Sequence, residues 1–378
     1  MHIAWLFEYP TLHGGERSLL AAWPALKAAG MRATALAPSR GPLHAALIRA
    51  GVEVVPFETR DAADRRPALG ELRDRLATAL LSSRPDVLHA NSLAMGRLSG
   101  PVAAELGLPS VAHLRDIIKL SRAAVADLNR HKRLLAVSRA TRDFHVAQGL
   151  MADTVQVLYN GVDLEQFRPK AATGWLHRQL GLPSDAVLVG TIGQLVMRKG
   201  HDVLARAASR LARRHPDAHW IIAGSRHSQK AEAVEYEAGL QRTFAADGLT
   251  DRVHFVGTLD GIEKLLPELT LVVHPARQEP LGRVLLEAAA AGVPTIATDV
   301  GGTREIFPPE ADAARLVPAG DDVALADAIG PLLVDARERR RLAQAARRRA
   351  EEAFDIRAAA ARLLEHYMKS LRFSRFES

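Results

Sequence analysis

Residues 274–305 read HPARQEPLGRVLLEAAAAGVPTIATDVGGTRE, and this stretch predicts a strand, a loop, a helix and a second strand. An apolar run ends at His274, residues 284–291 have helical composition, and a second apolar run occupies residues 293–297. The unit is therefore β-α-β, with both loops at the carboxyl ends of neighbouring parallel strands. Open α/β sheets bind their ligands at that edge.

The residues around the predicted helix start suit a phosphorylated ligand. Gly282 lets the backbone approach a ligand closely, and the N–H groups of Arg283 and Val284 form an anion site at the helix N-terminus. Glu279 precedes the helix, where a carboxylate can accept hydroxyl hydrogen bonds or face developing positive charge. Glu287 lies ~12 Å further along the helix axis, so the two carboxylates contact different parts of one long ligand. Alternatively, both are surface and capping groups of an ordinary helix.

The segment E-P-L-G-R-V-L-L-E-A resembles the E-x7-E signature of retaining glycosyltransferases of family 4. The resemblance implies the GT-B fold, which is α/β with two Rossmann-like domains whose parallel sheets face a central cleft. It also implies that Glu279 lies at the donor sugar and that Glu287 hydrogen-bonds the nucleotide ribose. Glu305, in the following G-G-x-x-E, is implied to flank the site.

Length and composition limit the alternatives. The chain has 378 residues, which is more than one hydrophobic core usually supports, so two domains are expected. Cysteine is absent, which excludes disulfides and thiolate metal sites. No apolar segment approaches ~20 residues and no basic region precedes the first apolar run, so we expect neither a spanning helix nor a signal peptide. The expected location is the cytoplasm.

The formal net charge of +7 favours anionic partners. A basic surface attracts phosphates, anionic lipid headgroups or nucleic acid. The aromatic-plus-basic signatures of RNA-binding and DNA-binding modules do not occur, so nucleic acid is not an expected partner.

Short apolar runs alternate with helical patterns along the chain, which is typical of parallel sheets flanked by helices. The predicted strands are residues 3–7, 33–37, 52–56, 87–90, 110–113, 134–137, 155–158, 187–192, 219–223, 253–256, 271–274, 295–297 and 315–317. An Asn160-Gly161 turn and a proline-bearing segment, residues 167–174, indicate a domain boundary. We expect two domains, at 1–165 and 166–353, and the resemblance implies that the first binds the acceptor and the second binds the nucleotide sugar. The resemblance implies that a C-terminal helix, 354–378, crosses back to the N-terminal domain.

A glycine-rich turn opens the first predicted helix at Gly14 and Gly15. Its N–H groups could hold a phosphate, although the turn is not the G-x-G-x-x-G of dinucleotide-binding proteins. The resemblance implies that this turn faces the donor. Both residues are therefore candidate donor contacts.

Two histidines, His89 and His113, end apolar runs at the same predicted edge. A histidine at a strand end is either a packing residue or a catalytic group, and the sequence leaves both interpretations open. The resemblance implies that His113 points at the donor sugar, with Asp116 following in a matching H-x-x-D arrangement. His89, Asn91 and Asp116 are candidate acceptor contacts.

The loop after residue 192 carries two adjacent cations, Arg198 and Lys199, just before a helix. Cations at a helix N-terminus oppose its dipole unless an anion lies between them, although a solvated basic turn is also possible. The loop resembles the family's G-R-L-x-x-x-K-G, whose Arg and Lys bind the donor diphosphate. Lys199 matches, but Gln194 replaces the arginine and cannot neutralise a phosphate. Leu259, in the loop after residues 253–256, is implied to lie beside the nucleobase.

The resemblance implies transfer of a hexosyl group, with retention, from a UDP- or GDP-sugar to a hydroxyl of a glycan or lipid-linked acceptor. Cell-envelope polysaccharide, lipopolysaccharide or glycolipid synthesis would use such an enzyme. The expected catalytic residues are Glu279, His113 and Lys199. No D-x-D occurs in the sequence, so neither a metal nor another cofactor is expected. The alternatives are a nucleotide-sugar epimerase of similar fold and a non-catalytic protein that binds sugar nucleotides.

A cluster of cations suggests contact with an anionic membrane. Its members are Arg115, Lys119, Arg122, Arg130, Lys132 and Arg133. Between them, a predicted helix at residues 121–128 places Ala124, Val125 and Leu128 on one face. Either this face lies on the cytoplasmic leaflet or its apolar residues pack into the protein core. We expect peripheral attachment.

Overall fold

The computed structural model describes residues 1–61, 63 and 65–374, which form two compact units. Unit 1 comprises Met1–Gly161 and the chain from Ile356 onward, and unit 2 is Val162–Asp355. The boundaries expected from the sequence, at 165/166 and 353/354, lie a few residues away from these. Each unit has its own sheet and its own hydrophobic core.

Unit 1 contains a seven-stranded parallel sheet in the order β3-β2-β1-β4-β5-β6-β7. Its strands are β1 His2–Leu6, β2 Arg32–Ala37, β3 Glu53–Pro56, β4 Val87–Ala90, β5 Ser110–Leu114, β6 Arg133–Ala136 and β7 Val155–Val157. The central strands β1, β4 and β5 are buried along their whole length, which is why they read as continuous apolar runs. The strand order reverses between β1 and β4, which is where α/β sheets of this kind bind ligands.

Helices connect these strands and begin at the carboxyl edge of the sheet. They are α1 Gly14–Ala28, α2 Gly41–Arg49, α3 Leu69–Ser83, α4 Leu93–Glu105, α5 Arg122–Leu128 and α6 Arg139–Val146. Ser92, Ser121 and Ser138 cap α4, α5 and α6, because each side-chain oxygen accepts a backbone N–H of the first turn.

Unit 2 contains a six-stranded parallel sheet in the order β10-β9-β8-β11-β12-β13. Its strands are β8 Val187–Ile192, β9 Ala218–Ala223, β10 Val253–Gly257, β11 Leu271–His274, β12 Thr295–Thr298 and β13 Arg315–Val317. Its helices are α7 Trp175–Leu180, α8 His201–Leu211, α9 Ala231–Ala246, α10 Ile262–Leu265, α11 Arg283–Ala290, α12 Thr303–Ile306, α13 Asp322–Val334 and α14 Ala336–Ala353. Short 3-10 helices lie at Met197–Lys199, Thr250–Arg252, Leu266–Glu268 and Pro309–Ala311.

These two parallel-sheet units confirm the predicted α/β architecture. Every predicted strand is present, with its ends shifted by one residue at most. The decisive stretch folds as β11-α11-β12, and β11 pairs parallel with β12 through Val272↔Thr295 and His274↔Ala297.

The last helix, α15 Ile356–Ser374, belongs to unit 1 and packs against α1. Its buried face carries Leu363 and Tyr367, which join the hydrophobic cluster of Trp5 and Trp23. None of the described helices is both long enough and apolar enough to cross a bilayer.

The predicted membrane-facing apolar surface on α5 is wrong. Ala124 and Leu128 are buried, and Val125 packs against the same core cluster, because these residues face the sheet and α4. Arg115, which the sequence groups with the surface cations, instead hydrogen-bonds inside unit 1. Lys119, Arg122 and Arg130 remain exposed.

Candidate functional site

A buried carboxylate, Glu279, forms the centre of the site in unit 2. Its side chain follows β11 and is only 6% exposed. One oxygen, Oε2, lies 2.5 Å from Lys199 Nζ and 2.7 Å from His274 Nε2. Lys199 comes from the loop after β8 and His274 from the end of β11, so two neighbouring strands bring the three side chains together at the carboxyl edge.

Glu279 is ionised despite its burial. Burial alone would raise the pKa of its carboxyl, but the charge of Lys199 and the hydrogen bond from His274 outweigh burial and lower the pKa well below its usual range. Burial, with the nearby Lys199, lowers the pKa of His274, so its ring is neutral near pH 7. A neutral ring bonded to a carboxylate carries its proton on Nε2. The site thus holds one anion, one cation and one neutral donor.

Two glycines make this close approach possible. At Gly200 (φ +70°), where α8 begins, an added Cβ would lie 1.8 Å from the carbonyl oxygen of Pro275. At Gly282 (φ +107°), an added Cβ would lie 2.7 Å from Leu285 and 3.3 Å from Glu279 Cγ. Both positions combine a left-handed backbone with a close neighbour, which only glycine tolerates without strain.

Arg277 ties the same two loops together. Its guanidinium forms a bidentate ion pair with Asp202, at 2.6 and 2.7 Å, and donates to the carbonyl of Met197. Burial would raise the pKa of Asp202, but Arg277 more than offsets it and the pKa falls to about 2. The carbonyl of Arg198 in turn accepts the backbone N–H of Arg277. Lys199 is therefore held in a loop that is fixed on both sides.

The second predicted carboxylate, Glu287, lies inside α11 and is buried. Its Oε1 accepts a hydrogen bond from Arg283 Nε at 2.6 Å. Arg283 Nη1 is buried and has no hydrogen-bond partner among the described residues. The first N–H groups of α11, at Arg283 and Val284, have no acceptor within the helix. Together these donors suit an anionic ligand.

The other donor-site candidates lie at the same edge of unit 2 but make fewer contacts. Gln194 is half-buried after β8, Arg198 is exposed, and Leu259 is half-buried after β10. Glu305 lies on the short helix α12. Its loop is joined to the central carboxylate residue, because the N–H of Gly302 donates to the carbonyl of Glu279.

In unit 1, Arg115 gathers the predicted residues at the carboxyl edge of the sheet. Its guanidinium donates to Asn91 Oδ1 at 2.8 Å and to Asn160 Oδ1 at 3.0 Å. A Cβ added at Gly15 would lie 2.9 Å from Arg115 Cδ, so the glycine-rich turn also reaches this group. Asn91 Nδ2 is buried without a partner in the described part of the chain. Gly14, by contrast, begins α1 with open space around it.

His89 and His113 form a buried hydrogen-bonded chain with Tyr367 of α15. His89 Nδ1 lies 2.6 Å from the Tyr367 hydroxyl, and His89 Nε2 lies 2.7 Å from His113 Nδ1. Arg115 Nη2 also reaches His113 Nδ1, at 3.2 Å. Asp116 does not join them, because its side chain is exposed and its carbonyl accepts from His145.

The contacts determine the proton positions on both rings. Burial, with the nearby Arg115, holds the pKa of His89 and of His113 well below the usual range, so both are neutral. Arg115 can only donate, so His113 Nδ1 is an acceptor and the proton is on Nε2. His89 must then donate through Nε2, and Tyr367 must donate to its Nδ1. The outward nitrogen of His113 is therefore an N–H donor.

Comparison with known proteins assigns the family. The family model for Glycosyl transferases group 1 matches residues 175–349, and that for Glycosyltransferase Family 4 matches residues 12–166. A GDP-mannose-dependent alpha-mannosyltransferase of Mycobacterium tuberculosis is 30% identical over 361 residues, which cover 90% of this chain and 88% of that protein. The chain belongs to glycosyltransferase family 4.

Other curated relatives match this chain over a smaller fraction of their own length. The D-inositol 3-phosphate glycosyltransferase of Salinispora tropica is 30% identical over 70% of the chain but only 60% of its own length. For other curated relatives the shared region is between 45% and 64% of their length. The structure of Anabaena Alr3699/HepE in complex with UDP-glucose superimposes with a TM-score of 0.86 at 24% identity, covering 98% of this chain and 100% of that one. This likeness confirms the GT-B fold.

Several residues of the two groups, one group in each unit, are not evident from the sequence. They are His274, Arg277, Arg115, Asn160 and Tyr367. The spacing of His274 and Glu279 around a strand end was the available signal for the first of them. Nothing local marks Tyr367, which lies 278 positions from its partner His89.

We expect Tyr367→Phe to leave His89 Nδ1 without its hydrogen-bond donor. Without the phenol O–H, the buried Nδ1 of His89 has no donor, which should cost about 1–3 kcal/mol of unfolding free energy. Arg115 still donates to His113 Nδ1, so both rings should keep their proton on Nε2, and the ¹⁵N resonance of His89 Nδ1 should move to that of an acceptor that receives no hydrogen bond. ¹⁵N NMR of imidazole-labelled protein, with a denaturation curve, measures both effects.

The internal control is His131, which is buried in the same unit. Its Nε2 donates to the carbonyl of Gly96 at 2.8 Å and its Nδ1 accepts from Ser110 at 2.9 Å, so its tautomer should not change. An unchanged ¹⁵N shift of His89 Nδ1 in Tyr367→Phe would contradict the assignment.

Proposed function

We propose that this protein transfers a sugar from a nucleotide diphosphate donor to an acceptor hydroxyl, with retention at the anomeric carbon. The observation that carries the proposal is the buried, ionised Glu279, held by Lys199 and His274 at the carboxyl edge of unit 2. An anion that is fixed and shielded from water stabilises positive charge as it develops on a sugar ring.

The donor is proposed to bind along α11. The unpartnered Arg283 Nη1 and the first N–H groups of α11 offer hydrogen bonds to the diphosphate. Glu287, further along the helix, accepts hydrogen bonds from the ribose hydroxyls. Lys199 supplies the positive charge that Gln194 cannot, and it stabilises the departing diphosphate.

The proposed reaction proceeds on one face of the sugar. The bond between the anomeric carbon and the β-phosphate oxygen breaks, and the acceptor oxygen bonds to the same carbon from the same side. The acceptor proton passes to the departing phosphate oxygen, so no sugar–protein bond forms. His113 donates through its outward N–H to a sugar hydroxyl, which positions the donor.

The comparisons support a UDP- or GDP-sugar as donor. One relative is named as dependent on GDP-mannose, and the Anabaena protein was crystallised with UDP-glucose. A thermal-shift panel of UDP-, GDP- and ADP-sugars tests this choice, because a ligand that binds the native state raises the melting temperature. Product analysis with donor alone then separates the transferase from an epimerase, since an epimerase needs no acceptor.

The acceptor is proposed to be a glycan or a lipid-linked glycan of the cell envelope, reached from the cytoplasmic side. Lys119, Arg122 and Arg130 are exposed and would contact an anionic leaflet, each adding on the order of 1 kcal/mol before screening. We expect the protein to sediment with anionic liposomes and not with neutral ones at low salt. Equal, negligible sedimentation with both would rule out membrane contact.

Replacing Glu287 should impair donor binding, whereas replacing Glu279 should impair turnover. Glu287→Ala should weaken donor binding by about 1.5–3 kcal/mol through lost charge-assisted hydrogen bonds. Glu279→Gln should instead lower kcat with little change in donor affinity, because its charge acts on the transition state. Calorimetry with donor and steady-state kinetics measure the two effects.

Glu310→Ala is the matched control, because Glu310 is an exposed carboxylate of the same unit. Melting curves of all three variants separate lost binding from lost folding. If Glu287→Ala binds donor as tightly as the parent, the ribose assignment is wrong.

We also expect transfer without a divalent metal. The sequence has no D-x-D, and Lys199 and Arg283 supply cationic groups for the diphosphate. Activity in EDTA should equal activity in added Mg²⁺ or Mn²⁺. Complete loss in EDTA with recovery on adding either metal would overturn this proposal.

A further inference from the structure

Unit 1 contains a groove that the proposed chemistry does not use. Its volume is about 470 Å³, and its floor includes Leu93 and Leu128. Three loops at the carboxyl edge of the sheet line it, following β3, β4 and β5. At its rim, Ile118 is 50% exposed. Ile118 therefore extends the apolar lining of the groove to the protein surface.

The rim of the groove is positively charged. Arg66, Arg97 and Lys119 line it, and none of the described residues that line it is acidic. Arg66 lies 3.4 Å from Glu8, while Arg97 shares Asp127 with a second arginine, Arg73. Lys119 contacts no carboxylate in the described part of the chain. The groove therefore combines an apolar floor with an excess of positive charge.

The groove adjoins the Asn91 and Arg115 group. Leu93 follows Asn91 by two residues, so their Cα atoms are at most ~7 Å apart, and Ile118 follows Arg115 by three residues, at most ~10 Å. Asn91 also has a buried amide nitrogen, Nδ2, that lacks a partner among the described groups. A molecule seated in the groove could thus reach the edge where His113 presents its N–H.

We propose that this groove binds the acceptor, and that the acceptor is a lipid carrying a phosphate next to its apolar portion. The apolar portion lies on Leu93, Leu128 and Ile118, and the phosphate pairs with Lys119, Arg97 and Arg66. The inference rests on the proposed sugar transfer, and it deepens that proposal by naming the substrate class.

A ligand that suits the groove needs both an apolar part and an anionic group. Inorganic phosphate would leave Ile118 in water, and a neutral alcohol would leave Lys119 without a counterion. A neutral glycan has neither part. An amphiphilic anion is the class that matches both the shape and the charge.

Calorimetry on the full-length protein tests this inference with three probes: octyl phosphate, 1-octanol and inorganic phosphate. Octyl phosphate should bind about tenfold or more tightly than either of the others, because it alone offers both the apolar chain and the charge. Equal affinity for octyl phosphate and inorganic phosphate would overturn the apolar half of the inference. Equal affinity for octyl phosphate and octanol would overturn the anionic half.

Exposed residues supply variants that should fold normally. Lys119→Glu should weaken octyl phosphate binding about fivefold to tenfold and leave octanol unaffected. Ile118→Ser should weaken the binding of both. The controls are Arg49→Glu and Ile48→Ser, at an exposed cation and an exposed isoleucine that do not line the groove. The groove is not the binding site if the control at a cation weakens binding as much as Lys119→Glu does. The same conclusion follows if Ile48→Ser weakens binding as much as Ile118→Ser does.

The same measurements separate this inference from the proposed function. Octyl phosphate binding needs no turnover, so groove-dependent binding in a protein that transfers no sugar would leave a lipid phosphate site and remove the transferase proposal. Sugar transfer by a protein that binds octyl phosphate no better than phosphate would keep the transferase and remove the lipid acceptor.

Discussion

The burial of the Glu279 carboxylate is the constraint on which unit 2 depends. An isolated buried charge is too costly to keep, so the fold must bring a cation to it. Lys199 fulfils that need from a different loop, 80 positions away. Removing one partner of such a pair typically costs about 3–5 kcal/mol, because the other charge stays buried. These two loops can approach closely because Gly200 and Gly282 have no side chain at the points of contact. The ion pair between Arg277 and Asp202 then holds the loops together.

In unit 1, by contrast, the buried titratable groups are neutral. Its buried titratable groups, His89 and His113, lose their charge instead of finding a counterion, because burial and Arg115 both disfavour the imidazolium. The two units therefore present different kinds of group. Unit 2 offers a fixed carboxylate beside a cation, and unit 1 offers a neutral N–H whose position on the His113 ring is determined by Arg115.

The sequence predicts the fold better than it predicts the site. Strands buried on both faces give continuous apolar runs, so their positions are evident from composition, and the spacing of Glu279 and Glu287 identifies α11. The sequence alone does not show whether a long side chain points into solvent or into the protein. Arg115 therefore reads as a surface cation although it binds Asn91, and Ala124 and Leu128 read as a membrane face although they are core. The partnership of Tyr367 with His89 is invisible because it depends on the return of α15 to unit 1.

That return has a consequence for synthesis on the ribosome. Most of unit 1 is translated before unit 2, but Leu363 and Tyr367 of its core emerge only after all of unit 2 has been made. Until then, the face of α1 and β1 that includes Trp5 and Trp23 lacks its cover. The nascent first unit would therefore carry an exposed aromatic surface for as long as about two hundred further residues take to translate, at roughly 5–20 residues per second. Chaperones that bind apolar surface would find it during that interval, and its closure by α15 would be a late step of folding.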